Sequence, residues 1–305
     1  MRITSQRVRV IVPATSANLG PGYDTMGLAL GLLDELELEA TTGGIEIEVE
    51  GEGADSVPTG EDHLVVQALR RGLDHAGAPQ VGIRLRARNR IPHGRGLGSS
   101  AAATVAGLLL ARGLIADPQA LDDATVLQLA CEFEGHPDNA APALLGGATL
   151  AWMNAEGEAK AAALRVDAAV LHPVVLLPST TLSTEHARSL LPATVPHADA
   201  AFTAARCGLL VHALAGKAGL LMEATEDRLH QEQRAAAMPQ SVELVRVLRQ
   251  EGHPAVISGA GPSVLVLRGS ARELTMLTRR IVDDPTQWRI AALPLRSERS
   301  EPVVG

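Results

Sequence analysis

The stretch that most constrains this chain is Ile91-Pro92-His93-Gly94-Arg95-Gly96-Leu97-Gly98-Ser99-Ser100-Ala101-Ala102-Ala103. Three glycines alternate in a short loop, and an apolar run without a breaker follows through Leu110. Glycine lets the backbone take φ > 0 and approach a ligand closely, and alanine is the strongest helix former. The segment reads as a loop-to-helix junction with Ser99 or Ser100 as its cap. The first N–H groups of a helix have no intrahelical partner and sit at the positive end of its dipole, so such a junction binds anions. We expect it to hold the phosphates of a nucleoside triphosphate. It is not a Walker loop, which ends in Gly-Lys-Ser/Thr. The only lysines are Lys160 and Lys217, both remote in sequence. A dinucleotide fingerprint fails on spacing, since the glycines are one apart and Ser99 follows. Any cation meeting phosphate or carboxylate here is therefore arginine or a metal ion.

A chain of 305 residues can bury a sizeable core, and two domains are expected. A net charge of −8 and aromatic residues at 2% argue against nucleic-acid binding, which uses basic faces and stacking platforms. Cys131 and Cys207 fall within helical patterns and read as buried, reduced thiols of a cytosolic protein. Residues Met1 to Arg7 lack the apolar core of a signal peptide. No apolar run reaches the ~18 residues a membrane helix needs.

Along the chain, Val8 to Val12 reads as a buried strand running into a loop of small polar residues, Pro13 to Asp24. Met26 to Ala40 and the alternating Ile45 to Glu50 read as strands. A helix over 62–76 is stopped by Gly77 and Pro79, and Val81 to Ala87 is a strand with a basic outer face. Helices follow over 99–114, 122–134 and 141–145, then a strand from Ala148 to Met153. Composition turns polar and alanine-rich over 154–163, so a boundary is expected there, with domains 1–157 and 158–305. In the second domain the order is strand, helices, hairpin, helix, strand, with strands near Val174, Pro254, Val264 and Trp288. That order suits a ferredoxin-like split βαβ sandwich. The tail from Arg296 is polar and expected to fray.

Four further constellations could carry chemistry. Glu132-Phe133-Glu134-Gly135-His136-Pro137-Asp138-Asn139 closes a helix. Mg²⁺ prefers one or two protein oxygens plus phosphate oxygens, which Glu134 and a serine of the glycine loop could supply. Asp138 could accept a proton from an attacking hydroxyl. Asn18 and Asp24 offer an amide and a carboxylate on the first loop. Thr184 and Arg188 share a helix face at i, i+4, and arginine's planar fork suits a carboxylate. Ser258-Gly259-Ala260-Gly261-Pro262-Ser263 is a tight turn whose glycines permit close backbone approach to the phosphate loop. Taken singly, each also reads as ordinary turn, cap or surface chemistry.

Taken together, in this order, the motifs resemble those of the GHMP kinases. Pro92 to Ala102 is similar to that superfamily's ATP-phosphate loop, and Ile257 to Ser263 to its C-terminal glycine motif. Pro13 to Asp24 and Glu134 to Pro142 resemble the homoserine kinase branch. The resemblance implies an α+β, two-domain fold: an N-terminal domain like ribosomal protein S5 domain 2, a ferredoxin-like C-terminal domain, and the active site between them. It implies a cytoplasmic homodimer that uses ATP and Mg²⁺ to phosphorylate the side-chain hydroxyl of L-homoserine, in threonine synthesis. Carried over by position, Pro92, His93, Gly94, Arg95, Gly96, Leu97, Gly98, Ser99 and Ser100 wrap the phosphates. Ser100 and Glu134 hold Mg²⁺, with Glu132 as the fallback. Asn18, Asp24, His136, Asn139, Thr184, Arg188, Arg234 and Gly259 line the substrate pocket, Asp24 meeting the ammonium and the arginines the carboxylate. Asp138, Arg188 and Asn139 form the catalytic set, Asp138 matching the base of mevalonate-type relatives. Arg234 departs from the pattern in its context, because Gln233 stands where the family has tyrosine. Glu61 to Val65 falls near the adenine. The rival readings are another GHMP-type small-molecule kinase and a non-catalytic nucleotide-binding protein of the same fold.

Overall fold

The computed structural model describes residues 1–305. The chain opens with a long hairpin, β1 (Arg7–Asn18) and β2 (Gly22–Thr41), paired antiparallel from Arg7↔Glu39 to Asn18↔Gly22. Its register shifts between Pro13 and Ala14, where proline has no N–H to give the ladder. Before the shift β1 alternates wet and buried, and from Val12 to Asn18 every residue is buried. The stretch expected to be a loop from Pro13 is therefore strand through Asn18, and only residues 19–21 turn. Its residues are small because both faces are covered by other backbone.

β3 (Ile45–Gly51) and β4 (Gly82–Asn89) pair in parallel, and β4 joins β2. β5 (Ala148–Met153) pairs with the first part of β2, and β6 (Ala159–Leu164) pairs with β5. The first sheet thus reaches Leu164, and the boundary expected at 157/158 falls inside the β5–β6 hairpin. One face of this sheet carries Val8, Val10, Leu36, Leu38, Ile83 and Leu85 into the core. The other face is a ladder of ion pairs in which Glu35, Glu37 and Glu39 on β2 sit opposite Arg88, Arg86 and Arg84 on β4. Glu46, Glu48 and Glu50 on β3 flank the same arginines.

The helices of this half are α1 (Leu64–His75), α2 (Ser99–Leu114), α3 (Asp123–Glu134) and α4 (Ala140–Leu145). α2 is buried almost all round, as its Ala/Leu composition requires. α3 starts at the Asp122 cap, whose carboxylate accepts from the Thr125 N–H at 2.8 Å, and ends on left-handed Gly135.

The second sheet holds β7 (Val174–Pro178), β8 (Ala255–Ile257), β9 (Val264–Val266) and β10 (Trp288–Ala292) in the antiparallel order β10-β7-β9-β8. Between β7 and β8 the chain makes α5 (Thr184–Ser189), α6 (His197–Leu214), α7 (Leu221–Ala224) and α8 (Pro239–Gln250). α9 (Ala271–Ile281) connects β9 to β10. This is the ferredoxin-like split βαβ arrangement. Alternation along β7 divides its residues between two cores. Val174 and Leu176 pack under α8 and α9, while Val175 and Leu177 join the core of the first half.

The C-terminal tail is built in rather than frayed. β11 (Val303–Val304) pairs with Val8 and Arg9 of β1, and buried Ser300 donates its hydroxyl to the Ala143 carbonyl at 2.6 Å. No helix is long and apolar enough to cross a membrane.

Candidate active site

The buried second half of β1 positions the site. Its Thr15 N–H donates to the Leu97 carbonyl at 3.0 Å, and its Ala17 carbonyl accepts from the Gly259 N–H at 3.1 Å. The glycine loop before α2 and the turn before β9 therefore hang on one strand. Ser258 joins them directly, its hydroxyl lying 2.6 Å from the Gly96 carbonyl and 2.8 Å from the Ser16 hydroxyl. The glycines are obligatory at two places. A Cβ on Gly96 (φ 70°) would sit 2.1 Å from the Ser258 carbonyl oxygen, and one on Gly98 (φ 65°) 1.9 Å from the Thr15 hydroxyl. Gly98, not a serine, is the N-cap residue of α2, and it makes no side-chain cap. The first N–H groups of α2 are thereby left to a ligand. Ser100 instead donates its hydroxyl to the Glu134 carboxylate at 2.5 Å.

A cleft of about 180 Å³ opens above this loop. Asn18, Gly94, Gly96, Leu97, Gly98, Ser99, Ser100, Glu134, His136, Asp138, Asn139, Thr184, Arg188, Arg234 and Gly259 all line it, drawn from both halves of the chain. Asn18 spans the hairpin turn and the second glycine turn. Its amide donates to the Gly259 carbonyl at 2.9 Å, and its oxygen accepts from the Asp24 N–H at 3.0 Å. Asp138 is buried, and its Oδ1 meets His136 Nδ1 in a short hydrogen bond and the Asn139 amide at 3.3 Å. Its Oδ2 has no protein partner. Burial alone would lower the His136 pKa, but the bond to Asp138 and its charge outweigh that, so the imidazole is raised and tends toward the cation. Burial raises the Glu134 carboxyl. Its oxygens and the Ser100 hydroxyl form a hard donor pair that suits Mg²⁺ beside phosphates. Glu132, the fallback, is committed elsewhere, in a two-point bond to Arg71 at 2.8 and 3.0 Å.

Four of the expected residues stand outside the cleft lining. Pro92 is buried behind the loop. His93 faces a second cavity. Arg95 donates to the Ser179 carbonyl at 3.1 Å, which fastens the loop to the segment before α5. Asp24 sits behind Arg188, which grips it through two nitrogens at 2.5 and 3.1 Å. The two arginines therefore differ. Arg188 is neutralised by Asp24 and also donates to the Tyr23 hydroxyl at 2.8 Å. Arg234 is buried and has no carboxylate partner. It donates only to the Ala187 carbonyl (3.2 Å), the Gly259 carbonyl (3.3 Å) and His230 Nδ1 (3.3 Å). Burial pushes its pKa down.

Sequence reasoning missed Tyr23 and His230. Tyr23 stands between the arginines, with both guanidinium carbons 5.6 Å from its ring centre. It is the only tyrosine of the chain and adjoins Asp24, a signal that was available. Burial, with Asp24 beside it, raises its phenol pKa. The second cavity shares Ser99 and Ser100 with the cleft and is walled by Val12, Leu36, Val57, Pro58, Leu64, Val65 and Ala103, with Asp34, Asp62 and His63 as polar groups. It is a mostly apolar slot next to the glycine loop. Of the expected Glu61 to Val65 stretch, residues 62–65 line it, and Glu61 pairs with Arg70 instead.

Residues 63–147 match the model of the GHMP kinases N terminal domain, and residues 210–273 that of the GHMP kinases C terminal domain. The chain is 53% identical over 265 residues to the homoserine kinase of Streptomyces avermitilis, covering 87% of this chain and 86% of that protein. It is 51% identical over 298 residues to the homoserine kinase of Clavibacter michiganensis, covering 97% and 89%. Among solved structures, the homoserine kinase of Cytophaga hutchinsonii superposes with a TM-score of 0.81 at 25% identity, with 98% of each chain covered.

Proposed function

The chain belongs to the homoserine kinases of the GHMP kinase family, and from that premise we propose how its cleft transfers the γ-phosphate of ATP to the side-chain hydroxyl of L-homoserine. The product is O-phospho-L-homoserine, a step of threonine biosynthesis. One observation carries the assignment of the pocket: a buried arginine without an anionic partner lines the same cleft as the glycine loop and Asp138. A carboxylate-bearing alcohol completes this arrangement, and its carboxylate supplies what Arg234 lacks.

The backbone N–H groups of the loop from Gly94 to Ser100 and of the first turn of α2 cradle the triphosphate. The apolar slot takes the base. Ser100 and Glu134 would hold Mg²⁺, which would supply neutralisation of phosphate charge. Arg234 takes the substrate carboxylate. Asp138 directs its free Oδ2 to the acceptor hydroxyl and receives its proton as the oxygen bonds to the γ-phosphorus and the bond to the β-bridging oxygen breaks. His136 and Asn139 hold Asp138 in place from its other oxygen. Thr184, on the first turn of α5, and the Gly259 backbone complete the wall around homoserine. Arg188, neutralised by Asp24, completes the lining of the cleft. With no lysine in the site, positioning and backbone dipoles carry the stabilisation. The protein is proposed to act in the cytoplasm as a homodimer, which light scattering on the purified chain tests.

The functional test is ADP release with L-homoserine, shikimate or mevalonate as acceptor. Homoserine-dependent release alone is expected. Release with mevalonate but not homoserine refutes the substrate, and ATP binding without turnover of any acceptor refutes the enzyme.

A further inference from the structure

We infer that His230 is a positioning residue that sets the substrate-carboxylate grip of Arg234 and locks it to the hairpin turn of β1 and β2. The inference rests on the reading of the cleft given above.

His230 is wholly buried. Its Nε2 lies 2.7 Å from the Gly20 carbonyl, and its Nδ1 lies 3.3 Å from Arg234 Nη1. A carbonyl oxygen can only accept, so Nε2 carries the hydrogen. A guanidinium can only donate, so Nδ1 must be bare. Both contacts are satisfied by one species, the neutral ring protonated at Nε2. The cation would leave Arg234 facing a donor and put a second positive charge beside a buried one. Burial holds the ring neutral, and Arg234 acts in the same direction against Asp227. Asp227 is occupied with backbone, accepting from the N–H groups of Leu229, His230 and Gln231 at 2.8, 3.0 and 2.9 Å. It shapes the turn carrying the imidazole. Tyr23 packs on the ring at 5.1 Å between centres, tilted by 35°.

The two anchors of the ring explain its place. Gly20 is pressed against the Thr225 backbone, so the hairpin turn is fixed on the second half of the molecule. The ring passes that fixed position to Arg234. Its other two partners are carbonyls of separate segments, Ala187 and Gly259. The imidazole is the only side chain that Arg234 touches by hydrogen bond, and it defines the plane of the fork presented to a ligand.

The test separates the two ring nitrogens. His230→Asn puts an oxygen near the position of Nδ1 and loses the Gly20 contact. His230→Gln puts an amide nitrogen near Nε2 and leaves Arg234 without its acceptor. Each variant is assayed for ADP release with L-homoserine and with 3-aminopropan-1-ol, the same acceptor without its carboxylate. For His230→Gln we expect the homoserine KM to rise by about 10-fold or more, the scale of one hydrogen bond to a charged group. The KM for ATP and the kcat/KM for 3-aminopropan-1-ol should stay within about 2-fold. His230→Asn should recover most of the homoserine KM while lowering the melting temperature. Equal losses with both acceptors, or Asn no better than Gln, overturn the positioning role and leave a packing residue. Failure of the wild-type chain to release ADP in the presence of homoserine overturns the functional reading and this inference together.

Discussion

Arg188 and Arg234 are the same residue type in one cleft with opposite electrostatic obligations. Arg188 already has the Asp24 carboxylate, so its removal strands a carboxylate, whereas Arg234 waits for an anion. Arg234→Lys should raise the homoserine KM by about 100-fold with a smaller change in the ATP KM, because a lysine cannot reach three partners and a ligand through one nitrogen. Isothermal titration with homoserine reads this directly, and unchanged affinity would move the carboxylate site elsewhere. Asp138→Asn should lower kcat by about 10²–10⁴-fold with KM held, the range of a general base. A loss under that range restricts Asp138 to orienting the hydroxyl. Asp34 offers a test of pH. Its Oδ1 accepts from the Arg90 and Ile91 N–H groups just before the glycine loop, yet burial raises its carboxyl to about 6. A raised folded pKa gives stability that is present below the usual carboxylate range and lost as pH climbs through about 6. Asp34→Asn keeps the oxygen and never ionises. Its stability gain over the wild type should be small at low pH and grow to about 3 kcal/mol above neutrality, by the worth of two pKa units. Melting curves across pH check it, and a gain that does not change with pH rejects it. The glycine loop, Ser100, Glu134 and Asp138 were legible in the sequence because their chemistry lies in short contiguous motifs. That Arg188 is neutralised and Arg234 is not depends on Asp24 arriving from 164 positions away, which no local pattern encodes.

At the scale of elements, β1 is the informative case. The strand signal is carried by β-branched and aromatic residues, and its first half, Arg7 to Val12, has it. The second half, Pro13 to Asn18, consists of small residues that sequence reasoning assigns to a turn. They are small because two glycine loops press on them from either side. The same pressure makes Gly98→Ala a sharp test, since a methyl group there overlaps the Thr15 hydroxyl in a left-handed backbone. ATP affinity should fall by about 10-fold or more while α2, anchored by its buried apolar face, persists in circular dichroism. Retained affinity would mean that the loop is not held by β1. The tail departs from its sequence pattern for a related reason. Its polar composition is that of a frayed end, but two valines find an open strand edge and Ser300 finds a buried carbonyl.

At the scale of the molecule, the apolar residues of β7 are shared between two cores, so the halves are fused through hydrophobic contact rather than joined by a linker. Calorimetry should show a single unfolding transition, and two resolved transitions would refute the shared core. The ion-pair ladder on the open sheet face is exposed, with Arg86 and Glu48 both more than 60% accessible, so screening it with salt should move the melting point little. The two-domain architecture was readable from the order of elements, while the exact seam was not, because β6 is an alanine strand whose pattern resembles linker. A chain with a single tyrosine, placed between the two arginines of its cleft, carries its own optical probe. The alkaline absorbance change of the phenol comes from Tyr23 alone, is shifted upward by its burial, and is expected to respond to a ligand entering the cleft with no label attached.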